Sequence, residues 1–215
     1  MSPQGPEQRP QSVQQGAATR AALIAGAIDT LREAGFAGAS ARQIARKAGC
    51  NQALIFYHFG SVPDLLVAAL EEVSSRRMAA YQDLLEHTGT MAGLVDAARA
   101  IFIEDLEAGH VTVLVEMISG AHSVPGLGER VQACLDPWRE FAETAMRDVL
   151  STAPIQVSAA PAAHAVVAGI LGLELLAHLD GDQAGALALF DQARAVGDLL
   201  DRLRPLAALL GTGGK

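Results

Sequence analysis

Apolar residues recur at spacings of three and four along most of the chain, the period of a helix with one buried face. Leu23, Ile24, Ala27, Ile28 and Leu31 form such a stripe and predict a helix over about 17–34, ended by Gly35, with Phe36 packing into a small three-helix core. Leu65, Leu66, Ala69, Leu70 and Val73 predict a long helix over about 62–87, with Pro63 tolerated in its first turn. Further helices are expected over 91–107, 126–150 (with a kink or break at Pro137), 161–179 and 184–210, and loops over 119–125 and 151–160. The run His110–Ile118 is rich in β-branched residues but has no partner strand, so it reads as a buried helix. The fold class is therefore all-α. Residues 1–16, rich in Gln, Pro and Gly, are expected to form a disordered arm.

The stretch Ser40–Phe59 reads as two short helices joined by a tight turn. Ser40 can cap the first, and Ile44, Ala45 and Ala48 give it an apolar face. Gly49 suits a left-handed backbone at the helix end, and Asn51 can cap the second helix, where Ile55 and Phe59 share a face. Arg42, Arg46 and Lys47 lie on the first helix, and no acid occurs between Ser40 and Phe59. Asn51, Gln52, Tyr57 and His58 carry hydrogen-bonding tips on the second. This is a helix-turn-helix pattern whose second helix suits a DNA major groove; a solvated helical hairpin is the plainer alternative.

The residues Ile44-Ala45-Arg46-Lys47-Ala48-Gly49-Cys50-Asn51, then Ile55-Phe56-Tyr57-His58-Phe59, resemble the DNA-binding signature of the tetracycline-repressor (TetR) family over about Thr19–Leu70. The resemblance implies an N-terminal three-helix DNA-binding head over 17–61 and a larger helical ligand-binding and dimerisation body over 62–215, with the 62–87 helix as connector. It implies Ser40, Arg42, Lys47, Tyr57 and His58 on the DNA backbone, and Gln43, Asn51 and Gln52 at or near base edges. Phe56 replaces a Tyr of the family pattern and Val62 a Lys, which removes two polar contacts; Phe56 still belongs to the reading surface. The implied partners are a palindromic double-stranded DNA operator, a small-molecule effector and a second copy of the chain.

Charge agrees with this division. Residues 1–64 hold six Lys or Arg and four Asp or Glu; residues 65–215 hold ten and twenty. A basic head on an acidic body fits nucleic-acid binding at one end. Two cysteines give no disulfide framework; Cys50 reads as a small buried hydrophobe, with a redox role as the alternative. No apolar run free of charge is taken to reach the ~18 residues of a membrane helix, and the N-terminus lacks the form of a signal peptide, so a cytoplasmic location and no membrane partner are expected.

The remaining residues suggest binding rather than catalysis. No phosphate loop or nucleophile elbow is present, so no enzyme activity and no cofactor are expected. Glu174 and His178 share a helical face but give two ligands at most, so no metal site is expected, and the pair reads as polar groups near a dimer seam. Phe102, Met117, Trp138 and Phe141 could line an apolar effector cavity, with Arg99, Glu116, His122 and His164 as polar groups that orient a ligand. The helices over 161–179 and 184–210 are apolar over more than one face. That predicts a dimer interface through Ile170, Leu173, Leu176, Phe190, Leu199 and Leu200. A TetR-like dimer acting as a protein-interaction module, and a helical-bundle enzyme or carrier, remain as alternatives.

Overall fold

The computed structural model describes residues 9–85, 89–151, 157–181 and 183–211. Among these residues every regular element is an α-helix: α1 (Arg9–Gly38), α2 (Ala41–Ala48), α3 (Ala53–Phe59), α4 (Val62–Leu85), α5 (Met91–Ala108), α6 (His110–Ala121), α7 (Leu127–Ala133), α8 (Asp136–Ser151), α9 (Ala159–Asp180) and α10 (Ala184–Gly211). Two compact units result. One comprises the chain up to Val73 together with Thr112–Val131; the other comprises Ser74–Val111 and the chain from Gln132 onward. The first half of α4 thus belongs with the head and its second half with the body.

In the first unit, α1 packs on α2. Gly26 makes that crossing possible: a Cβ there would lie 2.9 Å from the Ile44 carbonyl oxygen and 3.0 Å from the Ala48 nitrogen. Leu23, Ala27 and Leu31 of α1, Ile44 of α2, Ile55 of α3, and Leu65 and Ala69 of α4 are fully buried and form the core of the head. Helix α1 begins at Arg9, inside the stretch expected to be a disordered arm. Pro10 fits a first helical turn, where its missing N–H leaves no bond unmade. The helix breaks at Gly35, whose φ of 69° and ψ of −179° are open to glycine alone without strain. The break frees the Phe36 N–H, which donates to Glu116 Oε2 of α6 at 2.7 Å. The Phe36 ring lies against Gly120, where a Cβ would come within 2.3 Å of it. Phe36, expected in the three-helix core, packs on α6.

In the second unit, α10 packs on α5 and α9 on α8. Gly197 of α10 comes close to the start of α5, where a Cβ would meet the Ala92 nitrogen at 2.9 Å. Beside it, both oxygens of Asp201 accept the free N–H groups of Met91 and Ala92 at 3.0 Å, and Thr90 Oγ accepts from Gly93. The N-terminus of α5 is thus capped by its own chain and by a carboxylate from α10. Phe102, Ala177, Ala186 and Phe190 make a buried cluster, with Leu173 packed against it.

Three expectations change. The helix predicted over 126–150 is two helices, and the break falls at Cys134–Leu135, not at Pro137, which sits in the first turn of α8. Proline disfavours helical backbone at the residue before it but is at home in a first turn, so the chain turns ahead of it. Helix α6 runs on to Ala121, shortening the expected loop. Phe190 faces inward onto Phe102, with ring centroids 5.4 Å apart, so it serves the core of its own chain.

Gly26→Ala is expected to lower the unfolding free energy by ~1–3 kcal/mol, because the methyl meets backbone that cannot yield. Gly16→Ala, with open space around the same helix, should instead raise it by up to ~1 kcal/mol. Urea denaturation of the two variants measures the contrast.

Candidate DNA-reading surface and buried ionic cluster

The helix-turn-helix is built from local hydrogen bonds. Ser40 has extended backbone, and its Oγ accepts from the Gln43 N–H at 3.3 Å while donating to Gln43 Oε1 at 3.4 Å, a reciprocal cap over four residues. Gly49, at φ 64°, ends α2, and its N–H and that of Cys50 turn back to the Arg46 and Ala45 carbonyls. Asn51 Oδ1 accepts from the Ala53 N–H at 2.9 Å, so Asn51 caps α3 as its position suggested. Cys50 is half-buried, its thiol donating to the Ala48 carbonyl. On the inner side of α3, Ile55 is buried and Phe59 is half-buried beneath the Arg20 guanidinium, 5.0 Å from the ring centroid.

The residues assigned to DNA stand on the outer side. Ser40, Arg42, Lys47, Asn51, Gln52, Phe56 and Tyr57 are exposed, Tyr57 at 81% and Phe56 at 53%; Gln43 and His58 are half-buried. His58 lies edge-on to Tyr57 at 4.9 Å between centroids. No acid lies between Ser40 and Phe59 in the sequence, yet Lys47 Nζ stands 2.6 Å from Glu33 Oε2 of α1. The acid lies outside the helix-turn-helix stretch, seven residues before Ser40, and only the packing of α1 on α2 brings it there.

The second unit holds a set of buried charges that the sequence did not single out as a group. Arg77 of α4 contacts both Asp105 of α5 and Glu174 of α9, the latter at 3.5 Å. Asp105 Oδ1 also accepts from the Tyr81 hydroxyl at 2.8 Å and lies 3.0 Å from His110 Nδ1. Asp105, Glu174 and Tyr81 are fully buried. The Arg77 guanidinium stacks 4.8 Å from the Trp138 ring centroid, and Trp138 Nε1–H donates to Ser74 Oγ at 2.6 Å. Burial pushes the Glu174 carboxyl up to about 7, with the charges of Arg77 and His110 opposing the rise only in part. Burial likewise lowers Arg77 and raises Tyr81. Glu174 is therefore a core acid paired with Arg77, whereas His178, its expected partner, is exposed.

The residues assigned to an effector cavity fall in both units. Trp138 and Phe141 form an aromatic group with Tyr81, at 6.1 Å between successive centroids. Phe102 belongs to the cluster with Phe190, and Arg99 lies 3.9 Å from Asp191. Met117, buried, and His122, exposed, belong to the first unit, as does Glu116, while His164 is exposed on α9. Of the residues assigned to a dimer interface, Leu176 and Leu199 are more than half exposed, Ile170, Leu173 and Leu200 are half-buried, and Phe190 is core. Their exposed neighbours are Val166, Leu175 and Leu179 on α9 and Leu189, Val196 and Leu203 on α10. Helix α9 is long and apolar enough over Ala159–Leu179 to cross a membrane, despite Glu174, with a mean hydropathy of 1.7 and 17% of its most apolar stretch buried. Among the described residues no group of three or more His, Cys, Asp or Glu is placed to hold a metal ion.

Comparison with known proteins places the head. The profile of the bacterial regulatory proteins of the tetR family matches residues 23–69. An uncharacterised HTH-type transcriptional regulator of Mycobacterium tuberculosis is 30% identical over 130 residues, a match that covers 60% of this chain and 66%, just under two thirds, of that protein. A TetR-family member from Streptomyces coelicolor superposes with a TM-score of 0.62 at 25% identity, covering 85% of this chain and 98% of that one. A TetR-family regulator from Cytophaga hutchinsonii gives 0.72 at 13% identity, over 87% and 96% of the two chains, a likeness of fold alone.

Two outcomes follow. Glu33→Gln frees Lys47 and is expected to tighten DNA binding for every sequence by roughly 1.4- to 5-fold, the range of an exposed ion pair; Lys47→Ala should flatten the slope of log affinity against log salt by about one. Fluorescence anisotropy across a salt series reads both. Because the folded protein holds the Glu174 proton more tightly than the unfolded chain, ionising Glu174 opposes folding as pH rises from 4.5 to about 7. Glu174→Gln should therefore gain stability over the wild type between pH 5 and pH 8, by at most ~3 kcal/mol, in paired denaturation curves.

Proposed function

The chain belongs to the TetR family of helix-turn-helix transcriptional regulators, and on that premise we propose that it is a cytoplasmic, non-enzymatic repressor that binds a palindromic operator as a homodimer and leaves it when a small molecule binds its body. The observation that carries the DNA reading is the capped turn Ser40–Asn51, with basic α2 and an α3 whose polar tips and aromatic edges face outward. Ser40, Arg42, Lys47, Tyr57 and His58 take phosphates and so supply affinity; Gln43, Asn51 and Gln52 read base edges or lie beside them. Phe56 brings apolar contact, suited to a thymine methyl, in place of a phosphate bond.

The dimer reading is supported by the exposed apolar side chains of α9 and α10. Monomeric proteins seldom leave such rows open. Gly169 and Gly172 of α9 have open space where a side chain would stand, room for the backbone of a second copy to approach. Two-fold symmetry then sets the recognition helices about one DNA turn apart, roughly 34–36 Å. A ligand acts by binding the DNA-incompetent state more tightly, with a coupling of ~1–3 kcal/mol as the usual range, and operator must weaken ligand binding by the same factor.

The exposure of Phe56 also favours a second reading, in which the α3 surface docks a protein. A gel shift with the DNA flanking the protein's own gene decides between them: a salt-sensitive, sequence-specific shift supports the regulator, and its absence supports the interaction module.

The assembly has its own test. Leu176→Glu or Leu199→Glu changes a side chain that one subunit leaves more than half exposed, so each subunit should keep its fold. Light scattering is expected to fall from twice 22.4 kDa to 22.4 kDa, and operator affinity to fall with it.

A further inference from the structure

The ionic cluster of the second unit does not balance. Two buried carboxylates, Asp105 and Glu174, share the Arg77 guanidinium. Asp105 is the better supplied of the two: Tyr81 and His110 reach its Oδ1, and its Oδ2, which has no other partner, lies against Arg77. Glu174 is not. Its Oε1 meets Arg77 at 3.5 Å, the outer limit of a hydrogen bond, and its Oε2 is buried with no partner. A carboxylate can accept about four hydrogen bonds, and one buried without them is costly. The Nε of Arg77 is likewise unpartnered. Two acids thus share one guanidinium, with His110 against Asp105 and none of these partners on Glu174 Oε2.

Beside this cluster lies an aromatic surface that already holds a cation. Trp138 carries the Arg77 guanidinium on its face, and Tyr81 and Phe141 flank Trp138. A partly buried aromatic face next to a carboxylate oxygen without a partner favours a positively charged nitrogen and repels an anion. We propose that Glu174, Asp105 and the Trp138 face form the recognition seat for a small organic cation, so that the effector carries a charged nitrogen on an apolar body. This rests on the effector reading above and narrows its chemistry. The ligand nitrogen pairs with Glu174 and shares the ring with Arg77, which retains Asp105.

The raised titration of Glu174 gives the seat a pH signature, because the cation needs the ionised form. The groups that face it are Arg77 and Tyr81 of α4, Asp105 of α5, which shares Arg77 with it, and His110 at the start of α6.

Trp138 is the sole tryptophan of the chain, so its emission reports on the seat directly. The full-length protein is titrated at pH 8 with benzyltrimethylammonium and decyltrimethylammonium, and with neopentylbenzene, the uncharged isostere of the first. Expected is a saturable change with the cations, at least tenfold weaker affinity for neopentylbenzene, and at least tenfold weaker cation binding in Glu174→Gln with the neutral probe unchanged. Lowering the pH from 8 to 6 should weaken cation binding by about tenfold in the wild type, a readout that stands if the variant fails to fold. Equal affinity for the neutral isostere, an unaffected Glu174→Gln, a flat pH profile, or no saturable response to either cation overturns the proposal. Operator binding is measured alongside. An operator complex released by an uncharged ligand but indifferent to cations leaves the regulator reading intact and removes the cation seat. Loss of operator binding altogether removes the regulator reading and leaves the Trp138 titration to stand by itself.

Discussion

A chain made of helices is governed by the ends of those helices. Each N-terminus leaves backbone N–H groups that its own helix cannot satisfy, and what satisfies them fixes where the helix begins and how it lies. Here local side chains do part of this, as Ser40 does for α2, Asn51 for α3 and Thr90 for α5. Distant carboxylates do the rest. Asp201 of α10 holds the first two N–H groups of α5, and Glu116 of α6 takes the Phe36 N–H freed where α1 breaks. Each remote cap ties two helices at one point while it satisfies a backbone donor. Helix α3 is held by its local Asn51 cap and by Ile55 in the small core of the head.

The body is organised differently, around charge kept out of water. A buried arginine shared between two acids is weak support for stability, since removing three charged groups from solvent offsets much of their attraction. The raised Glu174 shows that the burial term prevails there. Proteins tend to retain such destabilised groups where they bind something, and the adjoining aromatic surface is consistent with that.

The head was legible in the sequence because its signals are local: a cap, a glycine, a second cap and apolar residues at helical spacing all lie within twenty positions. What was missed there depends on one helix crossing another. Glu33 reaches Lys47, and Gly26 is needed, only because α1 lies across α2. In the body, an apolar helix without a polar face offers no phase by which to tell inside from outside. Phe190 was therefore assigned to the seam and is core, while Leu176 was assigned to the seam and is exposed. The spacing of Glu174 and His178 could not reveal that the first is buried against Arg77 while the second is exposed. Pro137 marked a boundary, two residues later than the chain makes it, because a proline permits a helix to start around it and forbids the turn before.

The open apolar rows of α9 and α10 also bear on the order in which the protein is made. Both helices follow the head and the rest of the body in the chain, and domains commonly fold as they emerge from the ribosome, the N-terminal part first. The stickiest surface therefore appears last, after the elements with which it could mispair are already packed. How long it faces water is then set by whatever comes to cover it, and for a surface covered by another chain that time depends on concentration.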